Sequence, residues 1–209
     1  GLSGVRVHAK VSAYEFADSD EPFAWLFGEV LFRDYGLSGI VIFDMSREVD
    51  EGDYLSLDFL PQVAVEDCVE WITATYREMS ICTQEHGQDG VTYSELFCGV
   101  FHKRLNEAIL RMAQIKPSSL VDPAALPAVV EVVKDFRVQV LGVGDASKDQ
   151  VTRGGAALDE FDSHTLESKL QPGVFAAGET LNIDGRCGGF NLHWAWASGI
   201  AAGAEAARK

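Results

Sequence analysis

Residues 173–191 read GVFAAGETLNIDGRCGGFN, and this stretch decides how the last third of the chain is interpreted. Its first six residues form an apolar run between two glycines, which predicts a buried strand that ends at Gly178. Glu179 then places a carboxylate just past that strand. The paired glycines Gly188 and Gly189 precede a segment rich in alanine and glycine. That segment predicts a final helix that runs nearly to the C-terminus.

The predicted entrance to the final helix has the chemistry of a ligand site. Paired glycines allow a ligand to approach the backbone closely. A helix N-terminus offers unpaired N–H groups and a partial positive charge, which can steady an electron-rich, anionic ring. A carboxylate such as Glu179 can accept hydrogen bonds from sugar hydroxyls. The alternative is a glycine-rich turn that only caps a packed helix, and the residues alone leave both open.

Upstream, the chain predicts a section of strands followed by a section of helices. Val5, Val7, Ala9, Val11 and Ala13 alternate with polar residues, which predicts a half-buried strand. Residues 25–32 and 56–60 are two further strand candidates. The helical section runs from about residue 62 to 136.

Three helices are predicted in that section. The first is predicted from segment 65–79, whose apolar residues would fall on one face of a helix. Thr92 and Glu95 form a capping box, which predicts a second helix with an apolar stripe. The stripe consists of Phe97, Phe101, Leu105, Ile109 and Met112. Val129, Val130 and Val133 mark a third, shorter helix. We interpret all three as core packing.

Residues 142–147, GVGDAS, follow a predicted strand at 137–141 and nearly fit a dinucleotide-binding fingerprint. A dinucleotide-binding turn must open a helix whose N-terminus faces the pyrophosphate. The residues that follow lead instead through Thr152 to the pair Gly154 and Gly155, which is strand-and-turn composition. We therefore predict a turn between strands here, with extended chain over 151–161.

Composition bounds the classes of partner. The formal net charge is −15, which argues against nucleic acid and anionic membranes, since both need a basic footprint. No apolar run approaches the ~20 residues of a membrane helix, and we expect a cytoplasmic protein. The cysteines form no CxxC pair and show no zinc spacing, so we expect reduced thiols and no metal site. They are Cys68, Cys82, Cys98 and Cys187.

Several short words of the sequence together resemble a known family. In the C-terminal part they are QVTRGG at 150–155, ESK at 167–169, AGE at 177–179, DG at 184–185, GGFN at 188–191 and WAWASG at 194–199. This set looks like the C-terminal signature of the HI0933-like flavoproteins, also described as BaiN/RdsA-type NAD(P)/FAD-dependent oxidoreductases or aminoacetone oxidase family FAD-binding enzymes. GEVLF at 28–32 with YGLSG at 35–39 resembles the inserted-domain motif of the same family.

The resemblance implies an α+β fold in two parts. Residues 1–135 would be an inserted mixed domain, with β-barrel-like strands and helices, that covers the flavin and selects the substrate. Residues 136–209 would be the returning C-terminal segment of a Rossmann-like FAD-binding domain. The GxGxxG fingerprint of that domain is absent from this chain, so the family implies a missing N-terminal segment. The apolar surface that this segment normally covers favours self-association.

The resemblance also implies an activity. The complete protein would pass hydride from NAD(P)H through FAD to a small organic substrate, and this chain alone would bind FAD weakly and be inactive. The residues carried over as cofactor contacts are Gly178, Glu179, Asp184, Gly188, Gly189, Phe190 and Asn191. The family places Gly178 and Glu179 near the ribityl and pyrophosphate groups, and residues 188–191 near the isoalloxazine.

Three positions depart from the family pattern. Ile40 stands where proline is usual, His193 replaces glutamine, and Cys187 stands where threonine is common. No general acid is identifiable, although Tyr35, His8 and His193 are conceivable. Two rival hypotheses stay open. One is a non-catalytic binding or interaction module built on the inserted domain, and the other is a different class of flavin enzyme.

Overall fold

The computed structural model describes residues 1–86, 90–142, 144 and 151–208. These residues divide into two units, Gly1–Gly144 and Asp145–Lys209. The predicted boundary after residue 135 lies inside the first unit, because the strand that follows it pairs into that unit's sheet. Most of the GVGDAS segment lies outside the described residues, so the prediction of a turn there stays a prediction.

A five-stranded antiparallel sheet forms the framework of the first unit. Its spatial order is β3-β2-β1-β4-β5, with β1 at the centre. The strands are β1 Arg6–Tyr14, β2 Ala24–Arg33, β3 Gly36–Ser38, β4 Tyr54–Asp58 and β5 Phe136–Gln139. The alternating pattern therefore correctly predicted β1, and the strand candidate at 25–32 is β2. β4 and β5 lie within two residues of their predicted bounds, whereas the short edge strand β3 was not predicted.

The two faces of the sheet differ because successive side chains point to opposite sides. Ala9, Val11 and Ala13 of β1 are fully buried on one face, where the helices of this unit pack. The alternate residues Arg6, His8 and Lys10 lie on the other face, which we call the open face. A helix-covered sheet of this kind confirms the predicted α+β class.

Six α-helices are present in the described residues. Five belong to the first unit and one to the second: α1 Ile40–Met45, α2 Val65–Glu85, α3 Tyr93–Leu96, α4 Lys103–Met112, α5 Leu126–Lys134 and α6 Phe190–Ala206. The apolar periodicity correctly predicted α2 and α5. The capping box of α3 is confirmed, since the Thr92 backbone N–H donates to Glu95 Oε2 at 2.8 Å. Hydrogen bonds from the Thr92 hydroxyl and backbone lower the pKa of Glu95.

The prediction of one continuous helix from Thr92 to Met112 is wrong. α3 ends at Leu96, and a turn containing Gly99 at φ 84° separates it from α4. A positive φ does not fit a right-handed helix, so the chain must restart. It restarts at His102, whose ring Nδ1 accepts from the Arg104 backbone N–H at 3.2 Å. Of the predicted stripe, Met112 is exposed rather than buried.

The second unit is built from turns and one long helix, α6, which was predicted. The predicted buried strand at 173–178 is wrong, because Val174 is exposed and the segment pairs with residues 166–168 only through an isolated bridge and two hydrogen bonds. Glu179 consequently lies on a single 3-10 turn, Gly178–Thr180, and not at a strand end. The buried core of this unit is small and consists of Leu166, Ala176, Leu181 and Ala202.

None of the described helices is both long enough and apolar enough to span a lipid bilayer.

Candidate functional site

Two glycines with positive φ form the entrance to α6. Gly188 has φ 128° and Gly189 has φ 92°, in the left-handed region that L-residues rarely adopt. Both are exposed, and a Cβ placed on Gly189 would meet no atom within 4 Å. Within the described part of the chain, no side chain caps the start of this helix. The backbone at the entrance is therefore open to a group from outside.

Asn191 ties the loop before α6 to the first turn of the helix. Its Oδ1 accepts from the Gly185 N–H at 2.6 Å, and its Nδ2 donates to the Gly185 carbonyl at 3.1 Å. A Cβ on Gly185 would lie 3.0 Å from Phe190 Cβ and 3.2 Å from Asn191 Oδ1, so only glycine fits without displacement. We call this pair of hydrogen bonds the Asn191 clamp. Because the clamp occupies the amide, Asn191 positions the glycine loop.

Gly178 is held against the second and third turns of α6. Its N–H donates to Ser198 Oγ at 2.9 Å, and its carbonyl accepts from Trp194 Nε1 at 3.1 Å. It has φ 61° and is buried, with Ala195 3.5 Å from the position of a Cβ. Both of its backbone polar groups are thus satisfied within the unit, so Gly178 fixes the position of Glu179.

Glu179 is exposed, and one of its oxygens is in use. Its Oε1 accepts from the Thr152 N–H at 3.3 Å. Three residues on, Gly155 packs so tightly that a Cβ would lie 2.8 Å from the Leu181 carbonyl carbon. Ala156 continues this contact through a parallel bridge to Leu181. Residues 152–156 therefore form a backbone support beside Glu179.

Sequence reasoning gave no role to the residues that support the site. Thr152, Gly155, Trp194 and Ser198 all lay within the quoted words of the sequence, but nothing in their spacing indicated which groups they would contact. The sequence did contain one indication, namely the glycine pair at 154–155 together with the WAWASG motif at 194–199. Residues of both motifs contact the segment 178–182.

The remaining candidates of the second unit lie around the entrance. Asp184 is half-buried in the clamped loop, Cys187 is exposed in that loop, and Phe190 is exposed at the first helical position. His193 is exposed, with its ring centroid 5.8 Å from that of Trp196. The structure thus places the predicted residues between 184 and 193 in the loop before α6 and in the first turn of that helix. Phe190 and Ala195 are about 7.5 Å apart along the axis, at about 1.5 Å per residue.

The other conceivable acids belong to the first unit. Tyr35 is exposed in the turn between β2 and β3, and His8 lies on the open face of the sheet. Cys68 is buried, which raises the pKa of its thiol, and Cys82 and Cys98 are exposed. No group of three or more metal-ligating side chains was found among the residues that the structure describes.

The arrangement along α6 fits a flat, electron-rich group with a hydroxylated chain. The side-chain-free entrance lets such a group reach the backbone, and the start of a 17-residue helix carries partial positive charge. Glu179 is exposed and uses Oε1 for the hydrogen bond from Thr152, so its carboxylate can also accept from a hydroxyl.

Comparison with known proteins gives one family. The model of the HI0933-like protein Rossmann domain matches residues 11–205. That span covers nearly all of the chain and both structural units.

Curated relatives agree with that match. A 3-dehydro-bile acid delta(4,6)-reductase of Clostridium scindens is 31% identical over 216 residues, covering 99% of this chain and 50% of the relative. A ribosomal RNA dihydrouridine synthase of Escherichia coli is 28% identical over 171 residues, covering 81% of this chain and 40% of the relative. One from Haemophilus influenzae is 21% identical, covering 88% and 43%. The chain spans half or less of the length of these relatives.

Proposed function

The chain belongs to the HI0933-like family, which is related to flavin-dependent oxidoreductases, and we propose that it forms one side of an FAD site in such an enzyme. The observation that carries the proposal is the Asn191 clamp beside the two open glycines at the start of α6. The clamp holds a loop without side-chain bulk where a ligand can reach the helix N-terminus.

Each residue of the site has a proposed role. The backbone at Gly188, Gly189 and Phe190 faces the flavin ring, and Asn191 keeps that backbone in place. Glu179 accepts from the hydroxylated chain, and Gly178 positions Glu179. Asp184 shapes the clamped loop. Bound flavin supplies hydride chemistry, and the protein supplies orientation and electrostatics.

The division of labour between the units follows the family architecture. We propose that residues 1–135 are a cap domain that covers the flavin and selects a small-molecule substrate, and that residues 136–209 belong to the FAD-binding domain. A segment bearing GxGxxG completes that domain in the full protein, and NAD(P)H is the proposed electron donor in the cytoplasm. The relatives named above are a reductase and dihydrouridine synthases, which supports reduction of an unsaturated substrate.

An FAD titration tests the proposal. The absorbance spectrum of FAD is followed as this chain is added, and again with a longer protein that includes the upstream reading frame. We expect weak or no binding by the chain alone, since half a cradle must order its loops at roughly 1–2 kcal/mol per residue. The longer protein should bind tightly. Absence of a bound-flavin spectrum with the longer protein would refute the proposal. Tight binding of FAD by the chain alone would refute the claim that this chain forms only one side of the site.

A substitution at the entrance locates the flavin. Gly189→Ala places a methyl group in the open space and strains a residue at φ 92°. We expect FAD affinity in the longer protein to fall at least about tenfold, which corresponds to about 1.4 kcal/mol. The matched control is Gly173→Ala, at a residue with φ 83° and equally open surroundings in a loop outside α6. Equal losses in both variants would show that strain, and not the entrance, is responsible.

The non-catalytic module remains the second candidate. The observation that favours it is that the first unit has its own extensive buried core. The upstream reading frame discriminates the two: a GxGxxG segment in frame supports the enzyme, whereas a stop codon followed by a start site supports the module. The sequence of the upstream reading frame, together with the identity of the cofactor that copurifies with the longer protein, also tests the hypothesis of a different class of flavin enzyme.

A further inference from the structure

The strand β2 has an outer edge that the sheet leaves largely unpaired. In the part of the chain that the structure describes, β3 pairs only with residues 31–33 of this ten-residue strand. Gly39 then lies against the backbone of Glu29, since a Cβ on Gly39 would be 2.5 Å from the Glu29 carbonyl oxygen. Residues 24–28 have β1 on one side and, among the described residues, no strand on the other. We call their outer side the open edge, because a further strand can pair there.

The backbone groups of two residues point towards the open edge. The Phe32 N–H donates to the Val5 carbonyl at 2.9 Å, on the side of β2 that faces β1. Backbone groups of an antiparallel strand point alternately to its two sides, so the even-numbered residues of β2 bond to β1. Phe27 and Trp25 lie at odd positions and therefore direct their N–H and C=O groups outward. A second strand at the open edge would receive two donors and two acceptors from them.

The side chains along the open edge are apolar and partly in water. Trp25 is 61% exposed and Phe27 is 53% exposed, and both lie on the open face because they are two residues apart. Residues 22–28, PFAWLFG, contain no ionisable side chain. Since the chain has a net charge of −15, two copies repel each other over most of their surface. An uncharged edge is where two copies can approach most closely.

The charges that surround these aromatic side chains balance each other. Lys10 on β1 lies between Phe27 on β2 and Asp58 on β4 in the register of the sheet. Its ammonium is 5.2 Å from the centre of the Trp25 ring. Glu29, at the next outward-facing position of β2, forms an ion pair with Arg6. The face beside the open edge thus shows no excess of either charge that would select a charged ligand or repel a second copy.

From the open edge and its composition we propose that two copies of this chain pair through their β2 strands, antiparallel to each other. A twofold axis at Leu26 places Trp25 of each copy opposite Phe27 of the other. Aromatic pairs directly across an antiparallel ladder stabilise it, and this pair removes both exposed rings from water. The contact uses the same residues from both copies, so it closes as a dimer that joins the two five-stranded sheets.

The same register fits on the other side of the strand. Ala24 of one copy would face Gly28 of the other, and both residues are small. They leave space for α1, whose Val41 packs on Gly28 so closely that a Cβ there would be 3.1 Å from Val41 Cβ. A ladder of five residues buries less than a standard interface, so we expect a weak dimer that depends on concentration.

Sedimentation and amide hydrogen exchange of the full chain test the proposal without flavin. The chain carries Ile200→Glu, because Ile200 is 74% exposed and belongs to an apolar surface of α6 that is available to other copies. We expect a reversible dimer in which amide exchange at Trp25 and Phe27 slows as the fraction of dimer rises. Exchange at Leu26 and Gly28 should not depend on concentration, because their N–H groups already bond to β1. Salt should strengthen the dimer by screening the net charge.

Two edge variants and a matched control make the test specific. Trp25→Lys and Phe27→Lys place charge on the open edge and should each raise the dimer Kd at least about tenfold. Trp71→Lys is the control, since Trp71 is 42% exposed in the same unit but lies on α2, and it should leave the Kd unchanged. A monomer at all concentrations, a dimer without slower exchange at Trp25 and Phe27, or equal weakening by Trp71→Lys would overturn the proposal.

The longer protein that includes the upstream reading frame distinguishes a second copy from another occupant. Slow exchange at Trp25 and Phe27 in a monomeric longer protein would show that its additional segment covers the open edge, which would also overturn the proposal. Concentration-dependent exchange in the longer protein supports pairing of two copies. Since no flavin is added, these outcomes are independent of the FAD titration.

Discussion

Asn191 is the residue on which the candidate site depends most. Asn191→Ala removes both hydrogen bonds of the clamp and leaves the half-buried Gly185 N–H without its acceptor. We expect the second unit to lose about 1–3 kcal/mol of stability. Amide hydrogen exchange at residues 184–189 should accelerate accordingly.

Two further variants make this prediction specific. Asn191→Asp keeps an acceptor for the Gly185 N–H and loses the donor, so its exchange should be intermediate. Asn182→Ala removes an exposed asparagine of the same unit and should change nothing at Gly185. Unaltered exchange at Gly185 in Asn191→Ala would show that the loop is held by other contacts.

For single residues, the sequence indicated special backbone conformations but did not indicate which side chains would form hydrogen bonds with each other. Gly188 and Gly189 were recognisable, because paired glycines before a helix signal special backbone conformation, and both have positive φ. The bond from Gly178 to Ser198 was not recognisable, since it joins residues far apart along the chain through tertiary packing. Glu179 was predicted at a strand end but lies on a 3-10 turn, and the hydrogen bond that it accepts from Thr152 was not foreseen.

α6 has two faces of different character. Ser198 and Ala202 are buried against the turns of the second unit, whereas the opposite side exposes Leu192, Trp196 and Ile200. An exposed apolar stripe of this size marks a surface that another part of a protein covers. We propose that the completing segment of the FAD-binding domain covers it, and that copies of the isolated chain cover it for one another.

We therefore expect this chain to self-associate through α6. Trp196→Glu and Ile200→Glu place charge in the stripe and should shift sedimentation towards the monomer without loss of helical signal. Leu170→Glu is the control, since Leu170 is equally exposed and apolar in the same unit but lies outside the helix. A monomeric chain at all concentrations, or equal effects of all three variants, would contradict the prediction.

Elements were predictable where one pattern ran uninterrupted. α2, α5 and α6 each show continuous helical composition, and β1 shows strict alternation. The prediction failed at Gly99, where one glycine with φ 84° divides an otherwise convincing apolar stripe into α3 and α4. It failed again at residues 173–178, because a strand needs a neighbouring strand along its length and an apolar run does not reveal whether one exists.

Over the whole chain, the two units differ in how much apolar surface they bury. The first packs its helices on one face of the sheet, around residues such as Leu57, Phe97 and Leu126, whereas the core of the second has four buried apolar residues in the part that the structure describes. Since hydrophobic burial is the main favourable term in folding and small units bury proportionally less of it, the second unit should be the less stable.

Because each unit contains two tryptophans, the stabilities of the two units can be measured separately in the full chain. Trp25 and Trp71 belong to the first unit and are exposed, while Trp194 and Trp196 belong to the second. Trp25→Phe with Trp71→Phe leaves fluorescence that reports only the second unit, and Trp194→Phe with Trp196→Phe leaves the converse. We expect the second-unit signal to change at lower urea concentration than the first-unit signal. Coincident transitions in both double variants would show that the chain unfolds as one cooperative body.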